Sequence, residues 1–423
     1  MSDDVYVYAT GMIKFGKHID KGVKALTGEA LKAVLADCDL SMGELEAAWF
    51  SNTGWGISDF QHGIRCQVAL SANSLDRIPI VNVENACASG STALHSAWMA
   101  VKAGVYDCCL AIGIEKMYYP PPPPDPDGKT KKRSMDGFIS GTDVEMTLKF
   151  MEKMKQEAAK KRAEDEKKGI EPKKAGKPHS VFMDFYAAGS RGHMEAYGTT
   201  QKQLAIIAAK AHNNSVHNPL AQYTFPQTVE QVMNDYEVAF PLTRAMCAPI
   251  GDGAAAAIIC SEKFLKKHPT KRAVRIRASV LKSGSWVGEN DICGRASRTA
   301  YETAGIGPED IGVVELHDAT AFGELYQTEQ MGFCPIGEGG IFAESGATAL
   351  DGKIPVNPSG GLISRGHPIG ASGLAQINEL RVQLIGEAGG RQVKDPKIAM
   401  AENGGGTIGK GEAAMAIHML EKI

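Results

Sequence analysis

One cysteine, Cys87, lies where an apolar run gives way to a helical pattern. Arg77–Val83 is strand-like, whereas Thr92–Val101 carries apolar residues at helical spacing and ends before Gly104. The residues next to the thiol are Ala, Ser and Gly, so another molecule can approach it. Backbone N–H groups at such a helix N-terminus favour a thiolate over a thiol. From this stretch alone Cys87 is either a nucleophile or a small buried side chain.

A histidine, His367, lies in the glycine-rich segment Asn357–Gly373. Pro368 biases the histidine before it away from helical geometry, and the neighbouring glycines leave its ring without steric cover. An imidazole held there can deprotonate a thiol or return a proton to a leaving thiolate. The setting favours a functional histidine over a structural one.

Two more segments follow predicted strands near the C-terminus. His317 comes directly after Ile311–Leu316, and ligands of open α/β sheets bind at the carboxyl ends of strands. His317 is therefore a candidate donor to a developing oxyanion, with a hydrogen bond to a neighbouring carboxylate as the structural alternative. Gly404–Gly406 follows the strand Lys397–Met400 and can form a backbone anion nest, although a turn that needs positive φ explains these glycines equally well.

Composition narrows the class of protein. A chain of 423 residues is too long for one simple core, so two or three domains are expected. A net charge of -3 and 43% hydrophobic residues give no indication of a nucleic-acid or membrane-surface partner. The nine cysteines are irregularly spaced without a Cys-x-x-Cys pair, so we predict reduced thiols, no metal site and a cytoplasmic location. No apolar run is long enough to span a bilayer, and the N-terminus is no targeting sequence.

Strand-like and helix-like segments alternate over the N-terminal part, which predicts βαβ units around a largely parallel sheet. At Tyr118 the composition changes to a proline run, Pro120–Pro124, and then to the charged stretch Lys149–Lys174. We interpret that stretch as a solvated surface insertion, with a docking surface for a partner as the alternative.

The second part of the chain repeats the pattern of the first. Gly253–Ile259 is similar to Gly411–Ile417, which indicates an internal duplication. The predicted division is an N-terminal half of residues 1–117 plus 244–268, an inserted loop domain of residues 118–243, and a C-terminal half of residues 269–423.

These motifs resemble the thiolase superfamily. Asn357–Gly373 matches the thiolase pattern Asn-x-x-Gly-Gly-x-aliphatic-Ser/Ala-x-Gly-His-Pro-x-Gly-x-Ser/Thr-Gly at each specified position. Cys87 corresponds to the cysteine that the family acylates. Cys247–Ala256, His317–Thr320 and Tyr197–Tyr223 are similar to the sterol-carrier-protein-type branch, and the similarity covers essentially the whole chain apart from the charged insertion.

The resemblance implies an α/β thiolase fold, with two duplicated βαβαβαββ halves forming a five-layered αβαβα core. It implies that Cys87 attacks a 3-oxoacyl-CoA carbonyl, that His367 takes the thiol proton, and that coenzyme A, as co-substrate, releases the acyl group. His317 would serve an oxyanion hole for the thioester enolate. Backbone N–H groups near Cys87 and of Gly405 and Gly406 would serve the tetrahedral intermediate. No bound cofactor is implied.

One departure from the family concerns its second catalytic cysteine. The last glycine segment carries Glu402 where thiolases usually have that cysteine, and Ala319 stands where the sterol-carrier branch can keep one. We expect Glu402 or His317 to take over the acid–base role, unless the substrate does not need the same proton transfer. The departure favours a changed substrate scope over lost activity.

Within this branch the chain resembles the thiolase subunits of anaerobic toluene degradation, which cleave benzoylsuccinyl-CoA to benzoyl-CoA and succinyl-CoA. The resemblance implies an acyltransferase with a homodimeric core, and for some members a small partner subunit with a zinc ribbon and an oligonucleotide-binding fold. Two other functions stay open: a Claisen-condensing acyl-CoA enzyme, and a non-catalytic scaffold that binds CoA or acyl groups.

Overall fold

The computed structural model describes residues 4–119, 139–167, 179–287, 291–409 and 411–423, so the proline run Pro120–Pro124 lies outside the described residues. The strands are β1 (Val5–Met12), β2 (Ala47–Ser51), β3 (Ile80–Val83), β4 (Cys108–Glu115), β5 (Glu237–Ala239), β6 (Leu242–Thr243), β7 (Gly253–Ser261), β8 (Val274–Ser283), β9 (Val313–Glu315), β10 (Ile398–Ile408) and β11 (Gly411–Lys422). The helices are α1 (Val23–Ala36), α2 (Trp55–Asp59), α3 (Arg65–Ser71), α4 (Ser89–Lys102), α5 (Val144–Lys167), α6 (Val181–Tyr197), α7 (Gln201–Ser215), α8 (Val229–Met233), α9 (Glu262–Lys267), α10 (Ile292–Ala304), α11 (Ala321–Gln330), α12 (Gly339–Glu344) and α13 (Ser372–Leu384).

The first half of the sheet has the strand order β3-β2-β4-β7-β1. β2 is parallel to β3 and β4, as the predicted βαβ units require, while β7 is antiparallel to both β4 and β1. The strand β7 contains the segment Gly253–Ile259, so the chain returns to this sheet after a long excursion through α5, α6, α7 and α8.

The second half repeats this order. β9 is parallel to β10, β11 is antiparallel to β10 and β8, and Val356 forms a parallel bridge to Val314 at the edge that β3 occupies in the first half. The halves meet where Tyr6 and Val7 of β1 pair with Arg275 and Val274 of β8, which joins nine strands into one sheet. The predicted duplication is thus confirmed in the topology.

The strands β1, β2, β4, β7 and β9 are buried along their whole length, so each face of the sheet packs against a helix layer. In β4, Cys109 and Ala111 belong to a central apolar cluster, whereas Leu110 and Ile112 belong to an outer one beneath α1 and α3. A third cluster lies between the second half of the sheet and α10. The helices α4 and α13 contact both halves and form the central layer of a five-layered core.

Two glycines allow α4 and α13 to approach each other closely at their N-termini. A Cβ atom on Gly90 would lie 3.1 Å from the Gly370 carbonyl oxygen, and one on Gly373 would lie 2.2 Å from Ser91 Oγ. Because no larger side chain fits at Gly373, the first turns of the two helices are held side by side.

The helices between β4 and β7 cover one end of this core. α7 packs against α11 and α12, and α6 packs against α11, around a fourth apolar cluster. None of the described helices is long and apolar enough to cross a membrane.

Candidate active site

Cys87 lies in a tight elbow between β3 and α4, as predicted. A single 3₁₀ turn, Ala86–Ala88, follows the strand and leads directly into the helix at Ser89. Ser89 Oγ accepts a hydrogen bond from the Asn85 N–H at 2.8 Å and donates one to the Ala86 carbonyl at 2.6 Å. Ala86 adopts a positive φ of 47°, an uncommon value for a residue with a Cβ atom. Local hydrogen bonds therefore fix the direction in which the thiol points.

His367 faces this thiol from the other half of the molecule. Its Nε2 lies 3.2 Å from Cys87 Sγ, and its Nδ1 lies 2.8 Å from Ser372 Oγ. The Ser372 hydroxyl donates its only proton to the Pro368 carbonyl at 3.0 Å, so it must accept a proton from Nδ1. The tautomer that satisfies these bonds leaves the Nε2 lone pair free to accept the thiol proton.

Burial favours the neutral forms of both side chains. It raises the pKa of the Cys87 thiol to about 12, although hydrogen bonds from the backbone N–H groups of Gly406 and of Cys87 itself act in the opposite direction. Burial, with repulsion from His317 and Arg365, holds the pKa of His367 well below its usual value. The loss of solvation therefore opposes the thiolate that the helix N-terminus favours.

The glycines after Glu402 pass directly against the elbow. They were predicted as a backbone nest or as a turn that needs positive φ. Ile398–Ile408 is one continuous strand paired with β11, so no separate turn follows Met400, but the positive φ is present at Gly406. A Cβ atom on Gly405 would lie 2.2 Å from the Asn85 carbonyl oxygen and 2.4 Å from the Ala88 nitrogen. Gly406 has a φ of 64°, which turns its N–H towards Cys87. Close approach and positive φ both require glycine here.

His317 lies beside His367, with 5.1 Å between the ring centroids. Cys87, His317 and His367 each offer a ligand atom within 4.8 Å of the other two, which makes them one cluster. His317 Nε2 is buried without a hydrogen-bond partner among the described residues, and burial lowers the pKa of this side chain to about 4. A neutral imidazole with an unused nitrogen is suited to bind a substrate oxygen.

The structure does not bring Glu402 into contact with the cavity in front of Cys87. Its side chain is fully buried, and Oε2 accepts a hydrogen bond from the His317 backbone N–H at 2.8 Å. Burial raises the pKa of Glu402 to about 8. The expectation that Glu402 replaces the second cysteine is not supported by this position, because the carboxyl group holds the peptide of His317 from behind.

A buried ion pair supports the loop that carries His367. Arg365 Nη1 lies 2.8 Å from Glu315 Oε2, and both side chains are fully buried. Asp318 Oδ1 accepts a hydrogen bond from the Leu362 N–H at 2.6 Å, which ties the same loop to the segment that carries His317. The two histidines are thus positioned by one network.

A cavity of about 920 Å³ opens in front of the cluster. Cys87, His317 and His367 line it together with Gly405 and Gly406. The opposite walls carry aromatic side chains from α6, from α11 and from the segment after α7, namely Phe182, Phe185, Tyr186, Phe322, Tyr326, Tyr223 and Phe225.

Sequence reasoning missed Glu412, a carboxyl group on the cavity wall. It lies at the start of β11, lines the cavity and accepts a hydrogen bond from Gln327 Nε2 at 3.0 Å. Its only signal in the sequence is a charged residue between Gly411 and the apolar run Ala413–Ile417.

Both halves match known families. Residues 5–263 match the family "Thiolase, N-terminal domain", and residues 282–417 match "Thiolase C-terminal domain-like". The chain belongs to the thiolase family. It is accordingly an acyltransferase enzyme, and coenzyme A is the co-substrate of this family.

Three curated relatives support the assignment across nearly the whole chain. An acetyl-CoA acetyltransferase of Methanothermobacter thermautotrophicus is 36% identical over 99% of this chain and 100% of its own length. Human sterol carrier protein 2 is 36% identical over 94% of this chain and 69% of its own length. The benzoylsuccinyl-CoA thiolase subunit BbsB of Thauera aromatica is 33% identical over 95% of this chain and 94% of its own length. The predicted resemblance is confirmed.

Two solved structures share the fold at low sequence identity. An Ltp2-ChsH2(DUF35) aldolase has a TM-score of 0.74 at 19% identity, over 99% of this chain and 98% of its own. Human mitochondrial 3-ketoacyl-CoA thiolase has a TM-score of 0.67 at 18% identity, over 99% of each chain. Together with the duplicated halves, they confirm the predicted thiolase fold.

Proposed function

We propose that the protein cleaves a 3-oxoacyl-CoA with coenzyme A through an acyl-Cys87 intermediate. The observation that carries this proposal is the 3.2 Å contact between Cys87 Sγ and His367 Nε2, with Nδ1 held by Ser372. A thiol with a raised pKa is a weak nucleophile until a base removes its proton, and His367 is in position to do so.

In the first half-reaction His367 takes the thiol proton while Cys87 Sγ bonds to the 3-oxo carbon. We assign the oxygen that becomes negative to the backbone N–H groups of Gly406 and Cys87, which hydrogen-bond the sulfur in the resting protein. The tetrahedral adduct then breaks its bond between C2 and C3, which leaves acyl-Cys87 and the enolate of the shorter CoA thioester.

We assign His317 as the hydrogen-bond donor to the enolate oxygen. When its proton is on Nε2, the neutral ring donates to that oxygen without bringing a full charge into the cavity. Glu402 is a positioning residue for this step, since it bonds the backbone N–H of His317. A second CoA then attacks acyl-Cys87 and releases the acyl group.

The aromatic walls of the cavity support an aromatic acyl group as part of the substrate. Phenyl rings gain from edge and face contacts with Phe and Tyr side chains, which the walls supply from three segments. The similarity to BbsB, whose name contains benzoylsuccinyl-CoA thiolase, points to the same substrate class. We therefore propose benzoylsuccinyl-CoA, cleaved to benzoyl-CoA and succinyl-CoA, as the first substrate to test.

The names of two similar proteins support a proposal for partner subunits. BbsB is named as a subunit, and the solved aldolase is a complex of Ltp2 with ChsH2(DUF35). We propose a homodimeric core in the cytoplasm that associates with a small partner subunit carrying a zinc ribbon and an oligonucleotide-binding fold.

Mass spectrometry of the intact protein tests this function. Incubation with benzoylsuccinyl-CoA or acetoacetyl-CoA should add an acyl mass to Cys87, and free CoA should remove it. Cys87→Ala must lose the adduct, whereas the matched variant Cys247→Ala, which changes another cavity thiol, must keep it. Transfer of the acyl group from Cys87 to an acyl-CoA rather than to free CoA would favour the Claisen-condensing alternative. No adduct and no cleavage with either substrate, with the partner subunit present, would support the scaffold and reject the proposal.

A further inference from the structure

The proposed reaction moves two protons besides the one that Cys87 gives to His367. The enolate that leaves must gain a proton on its α-carbon, and the CoA thiol that enters must lose one. His367 already holds the proton of Cys87 at that stage. Neither Ala319 nor Glu402, the two positions considered for a second cysteine, offers an acid on the cavity wall.

Glu412 is a carboxyl group on that wall. It lies on β11 opposite Thr407 of β10, and its side chain extends along the cavity beside Gly404. A Cβ atom on Gly404 would lie 3.2 Å from Glu412 Cγ and 3.3 Å from His317 Nδ1. The Glu412 side chain and the His317 ring therefore both lie beside Gly404. Glu412 is partly exposed, in contrast to the fully buried Glu402.

The surroundings of Glu412 suit a group that changes its protonation state. Gln327 Nε2 donates to Glu412 Oε1 at 3.0 Å, and an amide can equally accept from a carboxylic acid through its own oxygen. The described residues give Glu412 no ion-pair partner, so no cation fixes it as a carboxylate. Burial raises the pKa of Glu412 above its usual value, because the loss of solvation disfavours the carboxylate.

We propose that Glu412 is the acid–base catalytic residue that takes the place of the second cysteine. This inference rests on the proposed function. After the bond between C2 and C3 breaks, the Glu412 carboxylic acid gives its proton to the α-carbon of the enolate and becomes a carboxylate. The incoming CoA thiol then gives its proton to that carboxylate as its sulfur attacks acyl-Cys87. Collapse of this adduct expels the Cys87 thiolate, which recovers the proton held by His367, so each group returns to its starting state.

Hydrogen–deuterium exchange tests this role separately from acylation. Cys87 is acetylated with an aryl thioester, whose thiolate leaves without protonation, and the acyl-enzyme is then incubated with acetyl-CoA or succinyl-CoA in D₂O. Wild-type enzyme should exchange the α-protons of the acyl-CoA. Glu412→Gln should slow this exchange by about 100-fold or more, while its acylation rate stays within about 10-fold of wild type. Asp235→Asn, which changes another carboxyl group on the cavity wall, is the matched control and should keep exchange within about 10-fold.

The outcomes separate the two proposals. Exchange that survives in Glu412→Gln, or that is lost only in Asp235→Asn, overturns the role of Glu412 and leaves acyl transfer by Cys87 intact. A wild-type enzyme that is not acylated overturns the proposed function itself. If Glu412→Gln loses acylation through misfolding, Gln327→Leu decides instead: exchange must then fall about 10-fold with acylation retained, and unchanged exchange overturns the inference.

Discussion

The two halves of the molecule share one strand order but hold their site residues in different ways. In the first half five residues, Glu84–Ala88, lead from β3 into α4, and hydrogen bonds of one serine, Ser89, hold this connection. In the second half the buried loop before α13 carries His367, and the Glu315–Arg365 ion pair supports it. The Cys87 thiol has only to point at the substrate. The His367 base must also keep one tautomer and stay shielded from water. Duplication placed both at adjacent helix N-termini, and the chemistry then diverged in the loops.

The largest effect should come from removing the base itself. His367→Ala should slow acylation of Cys87 by about 100-fold to 10,000-fold, because the thiol is protonated and no other described side chain is hydrogen-bonded to its sulfur. Rapid quenching followed by mass spectrometry of the Cys87 peptide measures this rate. Near-normal acylation would show that the second half does not supply the base.

Removing the support of each loop should lower the free energy of unfolding by a different amount. Arg365→Leu leaves Glu315 buried without its partner and should cost about 3–5 kcal/mol, as broken buried ion pairs do. Ser89→Ala removes hydrogen bonds of a neutral side chain and should cost about 1–3 kcal/mol. Urea unfolding compares both variants with Arg295→Ala, which breaks a surface pair and should change little. Equal losses of unfolding free energy in Arg365→Leu and Ser89→Ala would show that the two loops are supported equally.

The contact between the halves should be sensitive to a single methyl group. Gly373→Ala places a Cβ atom 2.2 Å from Ser91 Oγ and should cost about 1–3 kcal/mol by overpacking. Gly22→Ala, where nothing lies within 4 Å, is the matched control. A crystal structure of Gly373→Ala should show a longer distance between Cys87 and His367. An unchanged distance together with unchanged stability would mean that the helices can separate freely.

The smallest effect concerns pH. Because the pKa of Cys87 is raised, its thiolate is a minor species at neutral pH, and alkylation by iodoacetamide should rise about tenfold per pH unit from 7 to 9. Because the pKa of His367 is lowered, the ring stays unprotonated, so acylation by substrate should not fall between pH 8 and 6.5. Peptide mapping resolves Cys87 from the other thiols. A plateau of alkylation above pH 7 would instead indicate a resting thiolate–imidazolium pair.

The sequence predicted the parts of the site that depend on local pattern. Cys87 and His367 stand out because small residues, glycines and a proline surround them, and the structure brings the two side chains together. Two other features depend on distant pairing. Glu402 does not reach the cavity because the pairing of the strands places it behind the His317 peptide, and Glu412 reaches the cavity only through the register of β10 with β11. The state of the thiol also escaped prediction, since burial is a property of the assembled halves.

The origin of the cavity walls has a consequence for how such an enzyme can change. The distance between Cys87 and His367 is set by α4, α13 and the glycines between them, whereas the aromatic surface opposite belongs largely to α6 and α11. Substitutions in α6 can therefore enlarge, narrow or reshape the space for an acyl group while the reacting atoms stay where they are. Selection for a new acyl group can therefore act on α6 and α11 alone. A laboratory screen for altered acyl preference should begin with substitutions in α6.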